Sequence, residues 1–231
     1  MSNYVMKENE AFEKLLSADG KVILELGCGT AEITRAIATA GCDRTIVATD
    51  VDQIQIDKHI HIDDLPNVVF LSAGAQEIPF TDGHFDIACF FSSLHHVPAE
   101  LMGDALREVA RVLKPGGMAF ICEPIFAGEL NEIMRLFHDE RKVRAAAYQT
   151  ILSAVESGTF SWYDEVYFDS PIIYSSFEDF EQKILGVTHT NFVLSPETLR
   201  AVTERFSLSL QESGAQFQTP YRVNLLQKPN L

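Results

Sequence analysis

The chain has 231 residues, of which 46% are hydrophobic and 22% charged, and these proportions are typical of a globular protein rather than a disordered or fibrous one. Its formal net charge of −15 repels phosphate backbones. The densest basic stretch, residues 141–144, directly follows Asp139 and Glu140, and we interpret it as a solvated helix face. No nucleic-acid partner is therefore expected.

Neither membrane insertion nor disulfide chemistry is indicated by the sequence. Residues 1–16 lack an apolar core of signal-peptide length, and no apolar run is long enough to span a membrane. The four cysteines form no CxxC pair, and Cys89 and Cys122 lie inside apolar, strand-like runs. Buried thiols in a reducing compartment are more consistent with this pattern than disulfides or a metal site, so we expect the cytoplasm.

The first half of the chain alternates apolar runs with segments of helical spacing. The predicted strands are residues 21–26, 44–50, 67–74, 85–93 and 118–124. The predicted helices are residues 30–40, 51–62 and 99–113, the last of which ends at the Lys114-Pro115-Gly116-Gly117 stretch. Continuous apolar strands that alternate with helices predict a parallel sheet covered on both faces. Ligands bind such sheets at the carboxyl ends of the strands, near the switch point beside the first strand.

The second half has a different composition, with few glycines and many aromatic residues between residues 125 and 192. Residues 128–157 predict one or two helices, and Ser195 caps a further helix over residues 195–206. Residues 206–211 and 221–228, with a Ser-Gly turn between them, predict a terminal antiparallel pair.

This pattern divides the chain into three parts. An N-terminal helix and a ligand-binding core occupy residues 1–124, and a helical, aromatic-rich insertion occupies residues 125–192. A C-terminal helix and antiparallel strands over residues 193–231 complete the core. We interpret the insertion as a lid in which most aromatics form a local core and a few line an apolar acceptor pocket. The N-terminal segment around Tyr4 and Phe12 is expected to fold over the same opening.

A glycine loop follows the first strand, in the sequence VILELGCGTAEIT over residues 22–34. Gly27 and Gly29 indicate either a tight turn between strand and helix or a place where backbone meets a ligand. The dinucleotide fingerprint requires a small third residue where this chain has Glu32, and a carboxylate there would repel a diphosphate. The loop therefore favours a neutral or cationic ligand over a nicotinamide dinucleotide.

Asp50 ends the second predicted strand, 21 positions beyond Gly29. A carboxylate at this place can accept hydrogen bonds from ribose hydroxyls. It can also cap the helix that follows, and the two roles are compatible. A ribose without an adjacent phosphate, carried by a sulfonium cation, fits both the loop and Asp50. That ligand is S-adenosylmethionine.

Four stretches in this order resemble the successive motifs of class I S-adenosylmethionine-dependent methyltransferases: VILELGCGTAEIT, IVATDVD, AQEIPFTDGHFDIACFFSSLHHV and LREVARVLKPGGMAFICEP. The resemblance extends over residues 20–124, about half of the chain. It implies an α/β, Rossmann-like sheet of seven strands with helices on both faces and one antiparallel strand near the C-terminal edge.

The resemblance also implies a set of cofactor-binding residues. Those expected around the methionyl part of the cofactor are Glu25, Gly27, Cys28 and Gly29. Those expected at the nucleoside are Asp50 on the ribose, Val51 on the adenine, Ala75 and Gln76 at the adenine edge, and Phe91 beneath the cofactor. The chain departs from the family pattern at Ala31, where a third glycine is common, and at Gly74, where an aspartate often binds the adenine amino group.

Three residues at strand ends are candidates for the chemistry of methyl transfer. His95 and His96 follow the fourth strand, and each is a candidate general base or a group that orients the loop. A metal site is not expected, because adjacent histidines in an extended segment point apart. Glu123, which ends the fifth strand, either faces the substrate or is a solvated carboxylate.

Three functions are compatible with these residues. The first is methyl transfer from S-adenosylmethionine to a small, apolar or aromatic acceptor, which leaves S-adenosylhomocysteine as the product. The second is transfer of another group, such as aminopropyl or carboxypropyl, from the same cofactor. The third is a non-catalytic relative that binds the cofactor and regulates a partner. Oxygen, nitrogen, carbon and sulfur acceptors and any oligomeric state remain compatible with the sequence.

Overall fold

The structure is a computed structural model that describes residues 4–188, 190 and 192–230, so the predicted domain bounds at the two termini lie outside the described residues. Its strands are β1 (Val22–Leu26), β2 (Thr45–Asp50), β3 (Val68–Ser72), β4 (Phe85–Phe91), β5 (Leu113–Pro124), β6 (Ser161–Tyr174), β7 (Leu210–Gln211) and β8 (Gly214–Gln227). Its α-helices are α1 (Glu8–Leu15), α2 (Glu32–Ala40), α3 (Gln53–His59), α4 (Met102–Val112), α5 (Glu129–Met134), α6 (Arg141–Glu156), α7 (Phe177–Phe180) and α8 (Pro196–Ser207).

One sheet runs through the molecule in the order β3-β2-β1-β4-β5-β8-β6, and the two-residue strand β7 pairs with β8. Strands β1 to β5 pair in parallel, whereas β8 is antiparallel to both β5 and β6. The predicted Rossmann-like sheet with one antiparallel strand near its C-terminal edge is confirmed. The order reverses at β1, so the loops after β1, β2 and β4 meet at one edge of the sheet.

The sheet is covered on both faces, and each face has its own apolar core. On one face α4 and α6 pack against the strands, with Leu106, Val109 and Ile151 fully or almost fully buried. On the other face α1 and α2 pack through residues such as Phe12 and Ile37. The covering explains why β1, β2, β4 and the later part of β5 are almost continuously buried.

The segment predicted as a helical insertion, residues 125–192, also contains a strand of the sheet. Residues 161–174 form β6, which pairs with β8 over most of its length. Most of its residues are exposed or half-buried, among them Asp164, Glu165 and Asp169, because β6 is the edge strand of the sheet. On its outer side the described residues show an isolated bridge between Val5 and Asp169. The segment thus contains the strand β6 besides helices, and the assignment of residues 125–192 as a helical, substrate-binding unit stays a prediction.

The terminal antiparallel pair is also different from the prediction. Helix α8 continues to Ser207 because Val202 and Phe206 are buried on the same helical face, so only Leu210 and Gln211 remain to form a strand before the turn. The main partner of β8 in the second half is β6. Strand β5 likewise begins earlier than predicted, at Leu113, directly after α4 ends.

A third apolar cluster joins α5, α7 and α8 to the ends of β6 and β8, with Tyr174, Phe180, Phe206 and Phe217 buried at its centre. Some aromatics of residues 125–192 therefore form a local core. Others lie elsewhere: Phe168 belongs to the α1 face of the sheet, and several on β6 are exposed, namely Trp162, Tyr163 and Tyr167.

All four cysteines are unpaired, and Cys28, Cys89 and Cys122 are buried whereas Cys42 is exposed. Among the described residues, none of the helices combines the length and the apolar composition that crossing a membrane would need.

Candidate functional site

The loop between β1 and α2 has a backbone conformation that favours glycine. Gly27 has φ of +77° and Gly29 φ of +50°, and Ala31 at the start of α2 has φ of +62°. The amide nitrogens of Gly27 and Cys28 both donate to the carbonyl oxygen of Thr49, at 2.8 and 2.9 Å. These bonds hold the loop against the end of β2.

The two glycines have different surroundings. A Cβ at Gly27 would lie 2.7 Å from the Cβ of Ser93, which follows β4, so the absence of a side chain lets the two strand-end loops touch. A Cβ at Gly29 would meet no atom within 4 Å. Gly27 is thus required by the protein's own packing, whereas Gly29 borders open space.

Asp50 lies at the end of β2, buried beside the loop. Its Oδ2 accepts a hydrogen bond of 2.7 Å from the amide nitrogen of Gly29, and its Oδ1 accepts one of 2.8 Å from that of Asp52. The helix-cap role that the sequence left open belongs to Asp52, whose carboxylate accepts from the amide nitrogen of Ile54 at 2.9 Å. Each oxygen of Asp50 can still accept a further hydrogen bond.

Glu25 is buried in β1 with only 2% of its surface exposed, and its Oε2 has no hydrogen-bond partner among the described residues. Burial raises the pKa of Glu25 to about 7; the nearby hydroxyl of Thr34 opposes the rise and the negative charge of Asp50 adds to it. Two carboxylates in this arrangement favour a cationic partner that brings hydrogen-bond donors.

The residues predicted at the adenine have different degrees of exposure. Val51 is 74% exposed directly after β2, which is unusual for an apolar residue beside a buried strand. Ala75 is buried, whereas Gln76 is exposed and its side chain folds back over Gly74. Val51 and Gln76 are thus available to a ligand at this edge, and their contacts with adenine stay predictions.

Phe91 and Cys28 are both buried. The ring of Phe91 packs against Phe12 and Phe120, with centroids 6.1 and 5.3 Å apart, so it belongs to the core beneath α1. Burial raises the pKa of the Cys28 thiol, which does not favour a reactive thiolate. The predicted contacts of Phe91 and Cys28 with a cofactor are not tested by this packing.

Two further contacts reach the edge of the sheet from residues that the sequence analysis did not single out. Nε2 of His59 donates to the carbonyl oxygen of Gly29 at 2.8 Å and so supports the glycine loop. From the segment after α7, the hydroxyl of Thr188 donates to Asp52 and accepts from Nε2 of Gln55 at 2.6 Å. The second half of the chain is therefore attached to the loop after β2.

His95 and His96 lie in one turn of 3₁₀ helix over Leu94–His96 rather than in an extended segment. Their rings are 4.1 Å apart between centroids, so the expectation that they point apart is wrong. Adjacent side chains are about 120° apart in a 3₁₀ turn, rather than on opposite faces as in a strand, so the two rings can meet. His95 is buried with 4% of its surface exposed, whereas His96 is exposed.

Both ring nitrogens of His95 face carboxylates. Nδ1 bonds to Oε2 of Glu123, and Nε2 lies 3.5 Å from Oε1 of Glu140. Although burial alone would lower it, the negative charges of Glu123 and Glu140 raise the pKa of His95 to about 9. The ring is therefore charged at neutral pH. Such a ring has no lone pair available to accept a proton.

Glu123 and Glu140 are both buried, and this corrects two expectations. Glu123 is 3% exposed and its Oε1 accepts from the amide nitrogen of Leu94 at 2.9 Å, so it is not a solvated strand-end carboxylate. Glu140 is 5% exposed and pairs with the guanidinium of Arg144 one helical turn later. Within the basic stretch taken as a solvated face, Arg144 points inward whereas Lys142 is exposed.

The edge of the sheet fits S-adenosylmethionine by three independent features. The unpartnered oxygen of Glu25 suits the ligand's positive charge, and the open space at Gly29 admits it. The remaining acceptor capacity of Asp50 suits ribose hydroxyls. The feature that opposes a diphosphate, the carboxylate of Glu32 in the first turn of α2, does not oppose a sulfonium.

Comparison with known proteins gives the same assignment. Residues 23–117 match the family described as the methyltransferase domain. The chain is 31% identical over 125 residues to the ubiquinone/menaquinone biosynthesis C-methyltransferase UbiE of Pseudomonas savastanoi pv. phaseolicola, covering 52% of this chain and 47% of that protein. It is 36% identical over 136 residues to O-methyltransferase rstn1 of Aspergillus nomiae, covering 56% of this chain and 59% of that protein. The chain thus spans about half the length of the curated relatives it matches.

Solved structures share the fold across nearly the whole chain. The YcgJ protein of Bacillus subtilis superposes with a TM-score of 0.65 at 19% identity, covering 96% of this chain and 97% of that one. A SAM-dependent methyltransferase of Methanosarcina mazei superposes with a TM-score of 0.57 at 16% identity, covering 99% of both chains. Residues 23–117 thus match a methyltransferase domain, and in its strand order and glycine loop the chain resembles the class I S-adenosylmethionine-dependent methyltransferases.

Proposed function

We propose that the chain transfers a methyl group from S-adenosylmethionine to a small, largely apolar or aromatic acceptor. The observation that carries this proposal is the pair of buried carboxylates, Glu25 and Asp50, at the ends of adjacent parallel strands beside a glycine loop within the methyltransferase domain. Several relatives are named as methyltransferases, and one of these relatives is a 27-O-demethylrifamycin SV methyltransferase of Amycolatopsis mediterranei.

The predicted binding residues divide between the two parts of the cofactor. We assign Glu25, Gly27, Cys28 and Gly29 to the methionyl part, and Asp50 to the ribose hydroxyls. We assign Val51, Ala75 and Gln76 to the adenine, and we place Phe91 beneath the cofactor as a packing residue. The oxygen of Glu25 that lacks a hydrogen-bond partner supports the assignment at the methionyl part. The exposed side chain of Val51 supports the assignment at the adenine.

When bound, S-adenosylmethionine supplies a methyl group activated by a positively charged sulfur. The chain's own residues then have to hold the acceptor in line with that methyl group and to exclude water. The turn after β4 is the natural place for the acceptor, because it adjoins the glycine loop through Gly27 and Ser93.

The two histidines have different roles in this proposal. His96 is exposed at the turn, and we assign it as the residue that contacts the acceptor and takes its proton where one must be lost. His95 is held by Glu123 and Glu140 and is assigned a positioning role. Glu123 acts through His95 and the backbone of Leu94 rather than on the acceptor.

A phenolic acceptor agrees best with the names of the relatives. One relative is named as a C-methyltransferase of ubiquinone and menaquinone biosynthesis. Two others are named as a 27-O-demethylrifamycin SV methyltransferase and an O-methyltransferase. A phenol that loses its proton becomes nucleophilic at oxygen and at the ring carbons beside it, so one acceptor class serves both outcomes. The net charge of −15 disfavours a polyanionic acceptor and supports our proposal that nucleic acid is not a partner. The buried, unpaired thiols support our proposal that the protein works in the cytoplasm.

The test is turnover by the purified full chain with methyl-labelled S-adenosylmethionine and a panel of phenols and hydroquinones. Labelled acceptor with an equal amount of S-adenosylhomocysteine supports the proposal. Methylthioadenosine as the product would instead identify transfer of another group from the cofactor. Tight cofactor binding with no product from any acceptor would identify a non-catalytic relative.

A further inference from the structure

Glu140 lies at the start of α6, far along the chain from the strand ends, yet it is buried against them. Its Oε1 lies 3.5 Å from Nε2 of His95 and 3.0 Å from Nε2 of His138. Its Oε2 pairs with Arg144, which also donates to the carbonyl oxygen of Ile125 at 3.3 Å. The carboxylate is thus fixed on both of its oxygens.

The ring of His95 is held from opposite sides by two elements of the fold. Glu123 at the end of β5 bonds to Nδ1 and also accepts from the amide nitrogen of Leu94, so it fixes both the ring and the backbone of the turn. Glu140 approaches Nε2 from the second half of the chain. With both nitrogens engaged, the ring of His95 has one orientation.

The cluster is charge-balanced by its own residues. The carboxylates of Glu123 and Glu140 face the ring of His95 and the guanidinium of Arg144, which makes two negative and two positive groups. The donor atoms of His95, His96 and Glu140 lie within 4.8 Å of one another, a spacing that a metal ion would accept. A metal ion would have to displace a proton from the ring of His95 and would lie close to the guanidinium of Arg144, so the charges favour the metal-free network.

We propose that Glu140 is a positioning residue for methyl transfer: together with Glu123 it clamps the ring of His95, and this orients the turn so that His96 faces the acceptor. The inference rests on the proposed function in assigning an acceptor to this turn. The clamp itself concerns only the described residues and can be tested without activity. The ring of His96 packs on that of His95, which is why fixing one fixes the other.

Nitrogen NMR of the full chain with labelled histidine rings tests the clamp directly, with single His→Gln variants to assign the signals. In the wild type we expect His95 to keep protons on both ring nitrogens from about pH 6 to about pH 8, without titrating. Glu140→Gln should make His95 titrate within that range, with its proton affinity lowered about tenfold or more. The control Glu156→Gln, exposed at the other end of α6, should leave the His95 signals unchanged.

A wild-type His95 that titrates like an exposed histidine would overturn the clamp, and this result needs no variant to fold. An unchanged His95 titration in folded Glu140→Gln would do the same. If zinc chloride at stoichiometric concentration shifts the His95 and His96 signals together, and Glu140→Gln abolishes the shift, the cluster is a metal site and the proposal is wrong.

The catalytic consequence is tested with a synthetic alkyl hydroquinone as the acceptor probe. Glu140→Gln should lower kcat by roughly 10- to 100-fold while the Kd for S-adenosylmethionine changes by less than about twofold. Glu156→Gln should leave both unchanged. A normal kcat in Glu140→Gln, or a loss of cofactor affinity equal to the loss of kcat, would contradict a positioning role. If the wild type methylates no phenol at all, it is the proposed function that fails, and the NMR result still decides the clamp.

Discussion

The amide nitrogen of Gly29 donates a hydrogen bond of 2.7 Å to Oδ2 of Asp50, across 21 positions of the chain. This bond joins the glycine loop after β1 to the end of β2. It holds the carboxylate in one orientation before any ligand arrives, so little ordering is left to be done on binding. The two signals that the sequence offered separately, a glycine loop and a strand-end aspartate, are therefore parts of one hydrogen-bonded unit.

Replacing Asp50 with Ala should weaken S-adenosylmethionine binding by about 1.5–3 kcal/mol, roughly ten- to a hundredfold, because charge-assisted bonds to the ribose are lost. Asp50→Asn keeps an acceptor oxygen and should fall between the wild type and Asp50→Ala. The exposed Asp63→Asn is the charge-matched control. Titration calorimetry measures all four proteins, and an Asp50→Ala protein that is folded and binds with wild-type affinity would remove this residue from the site.

Glu25 should make cofactor affinity depend on pH. Its pKa is raised to about 7, so the apo chain gains stability from the protonated form below the unfolded pKa and loses that gain as the pH rises through about 7. A cationic ligand favours the carboxylate, so binding at about pH 6 should release protons, and affinity should rise toward neutral pH.

Calorimetry in two buffers of different ionisation enthalpy measures that proton release. Glu25→Gln should bind more weakly, release fewer protons and have a flatter pH dependence. Proton release that is the same in the wild type and Glu25→Gln would show that another group titrates on binding.

The close contact between Gly27 and Ser93 predicts that a second substitution, at Ser93, partly compensates for a side chain at Gly27. Gly27→Ala places a Cβ 2.7 Å from the Cβ of Ser93 at a φ of +77°, so we expect a loss of thermal stability and of cofactor binding. Adding Ser93→Gly removes the clash and should restore part of the stability, although the strained φ remains. Ser93→Gly also removes the hydrogen bond of 2.6 Å from Oγ of Ser93 to the carbonyl oxygen of Leu26, so the single variant Ser93→Gly is measured as well. Losses of stability that simply add in the double variant would contradict the predicted clash.

Gly29→Val tests a different mechanism at the same loop. Apart from the two neighbouring residues, no described atom lies within 4 Å of the new Cβ. The fold should therefore lose only the stability that a side chain costs at a φ of +50°. The side chain would project into the space assigned to the ligand, so binding should be abolished while a cooperative thermal transition remains. Normal binding by Gly29→Val would mean that the loop is only a turn.

Arg44 is expected to dominate the stability of the α1 side of the sheet. Its buried guanidinium pairs with both oxygens of Glu13 and with Asp19, and also donates to the carbonyl oxygen of Ile37. Arg44→Gln should lower the free energy of unfolding by about 1–2 kcal/mol, because it removes charge-assisted hydrogen bonds to the half-buried Glu13 and leaves the carbonyl oxygen of Ile37 without its side-chain donor. Arg35→Gln breaks an exposed pair with Asp64 and should change the urea midpoint little. Equal effects of the two substitutions would contradict the importance of burial here.

The parallel half of the fold was predictable because each of its strands is a continuous apolar run flanked by helical spacing. Strand β6 was not, because an edge strand has one unpaired side and tolerates charges such as Asp164 and Glu165. Its partner β8 lies dozens of residues later, and no local pattern specifies such a pairing. The consequence is practical: residues 125–192 cannot be deleted as one unit without removing a strand of the sheet.

At the candidate site, the sequence motifs predicted those residues whose position depends on the backbone of their own loop. Gly27, Gly29 and Asp50 lie where a strand ends, and strand ends are visible in the sequence. Glu140 and Arg144 were missed because a run of charges normally marks a solvated face, and their burial depends on how α6 packs against the turn after β4. An i,i+4 pair of opposite charge was the signal available, and it is equally common on exposed helices.

The most direct test of the account is calorimetric titration of the purified chain with S-adenosylmethionine, S-adenosylhomocysteine and NAD under identical conditions. We expect both adenosyl ligands to bind one site, to compete with each other, and to lose affinity in Asp50→Ala. We expect no heat from NAD, because its diphosphate would face the carboxylate of Glu32 in the first turn of α2. Binding of NAD at the Asp50-dependent site, or no binding of either adenosyl ligand, would contradict the central claim.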